Sequence, residues 1–95
     1  MKPRITVNMT AQGEFEVWVN PAGRDLLVQE LQRLNEKHEH FHLGPESIGD
    51  VEICSRPYRP DDRILDYGKV LFRTDDWDRQ FFPHVMDAED TSNSS

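Results

Sequence analysis

His38-Glu39-His40-Phe41-His42-Leu43 is the stretch on which the reading of this chain turns. Successive residues of a strand point to opposite faces. As a strand, the stretch places His38, His40 and His42 on one face and Phe41 and Leu43 on the other. It follows a leucine-rich segment of helical spacing, so it marks where a helix hands over to a sheet. Three of the four histidines fall within these few residues. That leaves two readings open: a metal site, or a strand whose polar face is built from imidazoles.

Upstream of this stretch, Ile5, Val7 and Met9 alternate with Thr6 and Asn8. Phe15, Val17 and Val19 alternate with Glu14, Glu16 and Trp18. Ala11-Gln12-Gly13 lies between the two runs, and Gly13 is free to take a positive φ. The pattern predicts an amino-terminal hairpin. Trp18 either covers its outer face or marks a contact surface. Asn20-Pro21 then opens a helix: asparagine caps free amides and proline suits the first helical position. Leu27, Leu31 and Leu34 recur at helical spacing with Val28 beside them. Arg24, Glu30, Arg33 and Lys37 fall opposite. The expected element is an amphipathic helix over residues 21–37 whose leucine stripe faces a sheet.

Downstream, His40–Leu43 is the expected third strand. A glycine- and proline-containing loop follows at 44–50, and Val51 and Ile53 mark a fourth strand of about five residues. Arg56-Pro57-Tyr58-Arg59-Pro60-Asp61-Asp62 is a second loop. Ile64–Arg73 reads as the strongest strand, apolar on both faces and therefore expected to be central, with Gly68 as a bulge. Thr74 or Asp75 caps a short helical turn, from which Trp77, Phe81 and Phe82 are expected to pack on the sheet. The fold class predicted is α+β: an antiparallel sheet of about five strands with one amphipathic helix on a face, in the order β-β-α-β-β-β. Residues 1–86 form a single domain, and 87–95 form a flexible acidic and polar tail.

Ninety-five residues support one modest core and leave little room for a deep catalytic cleft. The net charge of −7 is uneven. Residues 1–43 carry six acids against five bases, and residues 44–95 carry twelve against six. Such a surface repels nucleic acid and anionic membrane and attracts basic proteins. The one cysteine, Cys54, excludes an intrachain disulfide and suits a reducing compartment. Met1-Lys2-Pro3-Arg4-Ile5 lacks the apolar run of a signal peptide, and no stretch approaches the ~18 apolar residues of a membrane span. The expected location is cytoplasmic.

Enzyme chemistry finds little footing. Cys54 with a histidine could make a thiol dyad, but no spacing ties the pair together. The adjacent acids Asp61-Asp62 and Asp75-Asp76 read as solvated charge. No phosphate loop or dinucleotide fingerprint is present. Arg56, Arg59 and Arg63 are interrupted by Asp61 and Asp62, too sparse for a phosphate-binding surface. A metal reading is narrower than it first looks. Histidines two apart on a strand lie about 6.6 Å apart, but three span about 13 Å and cannot meet one ion without bending the chain. Zinc on His40 and His42 would need a third ligand, His84 or an acid, and a zinc titration without heat would end that reading. A small histidine-dependent metal protein using His38, His40, His42 and His84 therefore stands as the alternative. A non-catalytic regulatory subunit is the third reading. No cofactor and no metal is assigned.

A protein partner fits better. Asp75-Asp76-Trp77-Asp78 sets acids around an aromatic: the acids steer the encounter with a basic partner, and the tryptophan supplies an anchor. The candidate partner-binding residues are Asp61, Asp62, Asp75, Asp76, Trp77, Asp78, Trp18, His40 and His42. An exposed edge strand in a small sheet also allows a homodimer.

Three segments carry a family resemblance: the helix ending LLVQELQRLNEKHEHFHL (26–43), the strand GDVEI (49–53) and the strand GKVLFR (68–73). With these, the chain resembles the immunity protein 32 family of bacterial polymorphic toxin systems. The likeness covers about half the chain, roughly Asp25 to Arg73, and does not extend to DDWDRQFFPHV (75–85). It implies a small cytoplasmic protein that binds a cognate toxin domain, often a basic nuclease, and neutralises it by masking the active site without catalysis. In that frame His40 and His42 are structural or contact residues.

Overall fold

In the computed structural model, residues 1–45 and 49–86 are described; the expected tail 87–95 lies outside them. Strand β1 (Ile5–Met9) pairs antiparallel with β2 (Phe15–Val19), Ile5 opposite Val19 and Met9 opposite Phe15. The hairpin forms as its alternation predicts. The Thr10 N–H donates to the Glu14 carbonyl at 2.8 Å, and the Gly13 N–H donates to the Thr10 carbonyl at 2.9 Å. Gly13 sits at φ 87°, the left-handed position that closes a three-residue hairpin loop.

Helix α1 (Pro21–Gln32) starts where Asn20-Pro21 places it. The Asn20 side-chain oxygen accepts from the Gly23 N–H at 2.7 Å and from the Arg4 N–H at 2.9 Å. One side chain thus caps the helix and ties it to the strand entering β1. Gly23 lets the two backbones meet: a Cβ there would lie 2.4 Å from the Arg4 carbonyl oxygen. The helix is shorter than expected. The Asn35 side chain accepts from the backbone N–H groups of Lys37 and His38, an Asx turn that competes with helix propagation.

The inward face of α1 also differs from the leucine stripe. Leu26, Leu27 and Leu34 pack on the core, while Leu31 is 50% exposed and Val28 is exposed too. Glu30, assigned by sequence to the solvent side, is buried and paired with Arg33 at 3.3 Å. Gly23 sets the rotation: the closest approach to β1 must pass through it, and that turns Glu30 inward and Leu31 outward.

Two small three-stranded sheets replace the single five-stranded sheet of the sequence reading. One has the order β2-β1-β5, with β5 (Arg63–Ile64) antiparallel to β1. The other has the order β4-β3-β6, built from β3 (His40–Gly44), β4 (Val51–Glu52) and β6 (Gly68–Leu71). β3 runs antiparallel to β6 but parallel to β4, so the sheet is not wholly antiparallel. The expected strand 64–73 is split between the sheets. Leu65 still donates its N–H to the Val7 carbonyl at 2.8 Å, and the chain then crosses through Asp66-Tyr67 to enter β6 beside β3. Its apolar residues on two faces therefore reflect two sheets. β6 is an edge strand, with Leu71 and Tyr67 exposed.

The sheets meet at the segment leaving β4. Ile53 donates its N–H to the Gly44 carbonyl at 2.7 Å, and Cys54 donates to the Ile5 carbonyl at 2.8 Å. The core sits at this junction: Ile5, Phe41, Val51 and Ile53 are buried. Val7, Leu43 and Val70 pack around them. A second helix, α2 (Asp75–Phe81), and a 3-10 turn (Pro83–Val85) close the described chain. No helix among the described residues is long and apolar enough to cross a membrane.

Candidate functional site

Thr6 and Asn8 lie opposite Trp18 and Glu16 on one face of the hairpin, and on β2 this is the better-buried face, since Phe15, Val17 and Val19 on the other are exposed. Asn8 is fully buried and bonded at both ends of its amide. Its amide nitrogen donates to Glu16 Oε1 at 3.0 Å, and its oxygen accepts from Trp18 Nε1 at 2.8 Å. Tyr58 stacks on Trp18 with ring centroids 4.0 Å apart and planes 12° from parallel, and the Arg59 guanidinium lies 5.5 Å from the Trp18 centroid. Arg59 pairs with Glu16 and, at 3.3 Å, with Asp62. The hydrogen bond from Asn8, reinforced by the charge of Arg59, holds the Glu16 carboxyl below the usual carboxylate range. Burial works against the Arg59 charge, but Asp62 and then Glu16 outweigh it and raise its proton affinity.

This network pins the loop 56–62 onto the hairpin. It also settles the geometry of three candidate contact residues. Trp18 lies on the face shared with Thr6 and Asn8 and is itself covered by Tyr58. The Asp62 side chain is only 2% exposed and committed to Arg59. Asp61 remains exposed beside it.

The second group lies on α2. The Thr74 hydroxyl accepts from the Trp77 N–H at 3.1 Å, the cap that the sequence leads one to expect. Asp75, Asp76 and Asp78 fill the first turn, where the helix dipole favours negative charge. Arg73 lies over the Trp77 ring at 4.7 Å and pairs with Glu39 at 3.4 Å. Trp77 is thereby fastened to the body and half-buried. Phe81 and Phe82 were expected on the sheet. They pack on Trp77 instead, at 4.8 and 5.2 Å, and stay 53% and 45% exposed. Val85 is exposed as well, and no residue of α2 is buried. The cause is topological. β6 is a short edge strand, so the chain leaves the sheet at Arg73 with no second face to cover. The result is a short helix and turn that present an apolar surface beside a row of acids.

The histidines fall apart into two sets. His40 and His42 share a face of β3, with rings 5.0 Å apart at 89°. His38 precedes the strand, and His84 stands in the 3-10 turn with its ring 6.0 Å from that of Phe82. Asp50 is the group that faces the run. Its carboxylate accepts from the His42 backbone N–H at 2.8 Å and lies 3.7 Å from His42 Nδ1. That hydrogen bond, with the three nearby imidazoles, lowers its proton affinity. Among the described residues no three His, Cys, Asp or Glu side chains converge at metal-binding geometry.

Compared with known proteins, the chain matches no family model, no curated protein and no solved structure. Sequence reasoning singled out Trp18, Trp77 and the aspartates, but missed Asn8, Glu16, Tyr58 and Arg59 as one network. The signal was present in part: the two-residue period that puts Ile5 and Val7 on one face puts Thr6 and Asn8 on the other, opposite Trp18 and Glu16.

Proposed function

We propose that this chain is a non-enzymatic protein-binding domain whose docking element is α2 with the 3-10 turn that follows it. The observation that carries the proposal is the pairing of exposed Phe81, Phe82 and Val85 with Asp75, Asp76 and Asp78 on a helix and turn in which Trp77 is half-buried and no residue is fully buried. A partner suited to it offers an apolar groove rimmed by lysine or arginine. The acids accelerate the encounter and the aromatics hold the complex. In the sharper form of this reading, the partner is a basic toxin domain such as a nuclease, and the chain inhibits it by masking the groove that holds its substrate. The net charge of −7 supports that form.

Co-expression with the product of the adjacent upstream gene tests it. The two proteins are expected to co-purify, and the toxic growth defect of the partner is expected to disappear. Failure on both counts would overturn the inhibitor reading. A complex that forms equally well with Phe81→Ser/Phe82→Ser would overturn the choice of α2 as the docking element.

A further inference from the structure

Away from α2, the segment leaving β4 runs beside the chain that enters β1 and leaves a cleft between them. A cavity of about 450 Å³ there is lined by Lys2, Arg4, Cys54 and Arg56. A second hollow of about 350 Å³ shares Arg4, Cys54 and Arg56 in its wall and adds Thr6 and Tyr58. Cys54 is held in place between them by its backbone bond to the Ile5 carbonyl. The residue is partly buried and lines both hollows.

Three features separate this place from an ordinary strand cysteine. First, it gathers three cations in a chain of net charge −7. Lys2 pairs with Glu52 at 3.3 Å, but among the described residues neither Arg4 nor Arg56 forms an ion pair. Secondly, Thr6 is 1% exposed and lines the second hollow, yet its hydroxyl completes no hydrogen bond. A buried hydroxyl without a partner is unfavourable, and a ligand acceptor would relieve it. Thirdly, the backbone N–H of Arg56 favours the charged form of the thiol most strongly. The Arg56 guanidinium acts in the same direction, burial acts against both, and the balance lies below the usual thiol range.

We propose that Cys54 is a thiol-exchange site and that its cleft takes a small disulfide bearing carboxylates. The Cys54 thiolate attacks one sulfur of the bound disulfide. A new S–S bond joins that half to the protein, and the old S–S bond breaks. The second half leaves as a thiolate with the bond's electron pair and takes a proton from water. Cys54 is oxidised to the mixed disulfide as the departing half is reduced, so no further oxidant is required. Arg4 and Arg56 hold the carboxylates of the retained half, and the Thr6 hydroxyl donates to it.

The test uses the full chain and two disulfides of opposite charge, glutathione disulfide and cystamine, with adduct formation followed by intact mass. Wild type is expected to form the glutathione adduct at least tenfold faster than Arg4→Gln/Arg56→Gln. Cystamine, which is cationic, is expected to lose far less rate than glutathione disulfide in the variant, because a smaller thiolate fraction slows both alike while the lost carboxylate contacts slow only the second. An Arg4→Lys/Arg56→Lys variant keeps the charge and is expected to recover most of the glutathione rate, which separates charge recognition from a folding defect. Equal glutathione rates in wild type and the glutamine variant, or a parallel loss of rate toward both disulfides, would overturn the proposal.

Discussion

Asn8 joins the two strands of the hairpin through one amide, donating to Glu16 and accepting from Trp18. Asn8→Ala leaves the Trp18 indole N–H without its partner and is expected to destabilise the fold by about 1–3 kcal/mol in urea melts. A loss indistinguishable from zero would mean that water replaces the amide at no cost. The same contact makes a pH prediction. Glu16 is held below its usual proton affinity in the folded state, first by Asn8 and then by Arg59. A depressed carboxyl stabilises the fold above the unfolded value, about 4.3. That contribution is lost as pH falls through the lower folded value. Wild type is expected to lose thermal stability below about pH 4.3, and Glu16→Gln is expected to lose less over the same window. Identical profiles would contradict the assignment. These contacts were only half legible in the sequence. Alternation assigns the faces, but the arrival of Tyr58 and Arg59 from a proline-rich loop depends on chain direction, which no local pattern encodes.

At the scale of elements, the hairpin, the start of α1 and the cap of α2 were all readable, because each rests on local chemistry: alternation, Asn20-Pro21, and Thr74. The rotation of α1 was not. A stripe of leucines and a close approach through Gly23 compete for the same face, and the backbone contact at Arg4 wins. Gly23→Ala is expected to cost about 1–3 kcal/mol by overpacking, whereas an alanine at the exposed Val28 is expected to be nearly neutral in the same melts. The split of residues 63–71 between two sheets was also hidden. An apolar run looks alike whether one sheet or two receive it. α2 differs from α1 in burying no residue. Its amides are expected to exchange faster with solvent than those of β1 and α1, as few contacts protect them. Equal protection in hydrogen-exchange measurements would show that α2 is part of the stable body.

At the scale of the whole molecule, the charge is segregated and so are the roles. The hairpin and α1 lie in residues 1–43, which are close to neutral, and the core at the junction of the two sheets draws Ile5 and Phe41 from that half and Val51 and Ile53 from the other. The acidic second half carries α2 and its exposed aromatics. A basic partner would then meet acids first and aromatics second, so its association rate should fall as salt screens the charge while its dissociation rate depends on Phe81 and Phe82. The most direct measurement is calorimetric titration of the full chain and of Phe81→Ser/Phe82→Ser with the product of the adjacent upstream gene. The account predicts a complex with wild type and an affinity at least tenfold weaker for the variant, with both proteins melting within a few degrees of each other. Absence of binding by wild type, or equal affinity for the two, would contradict it.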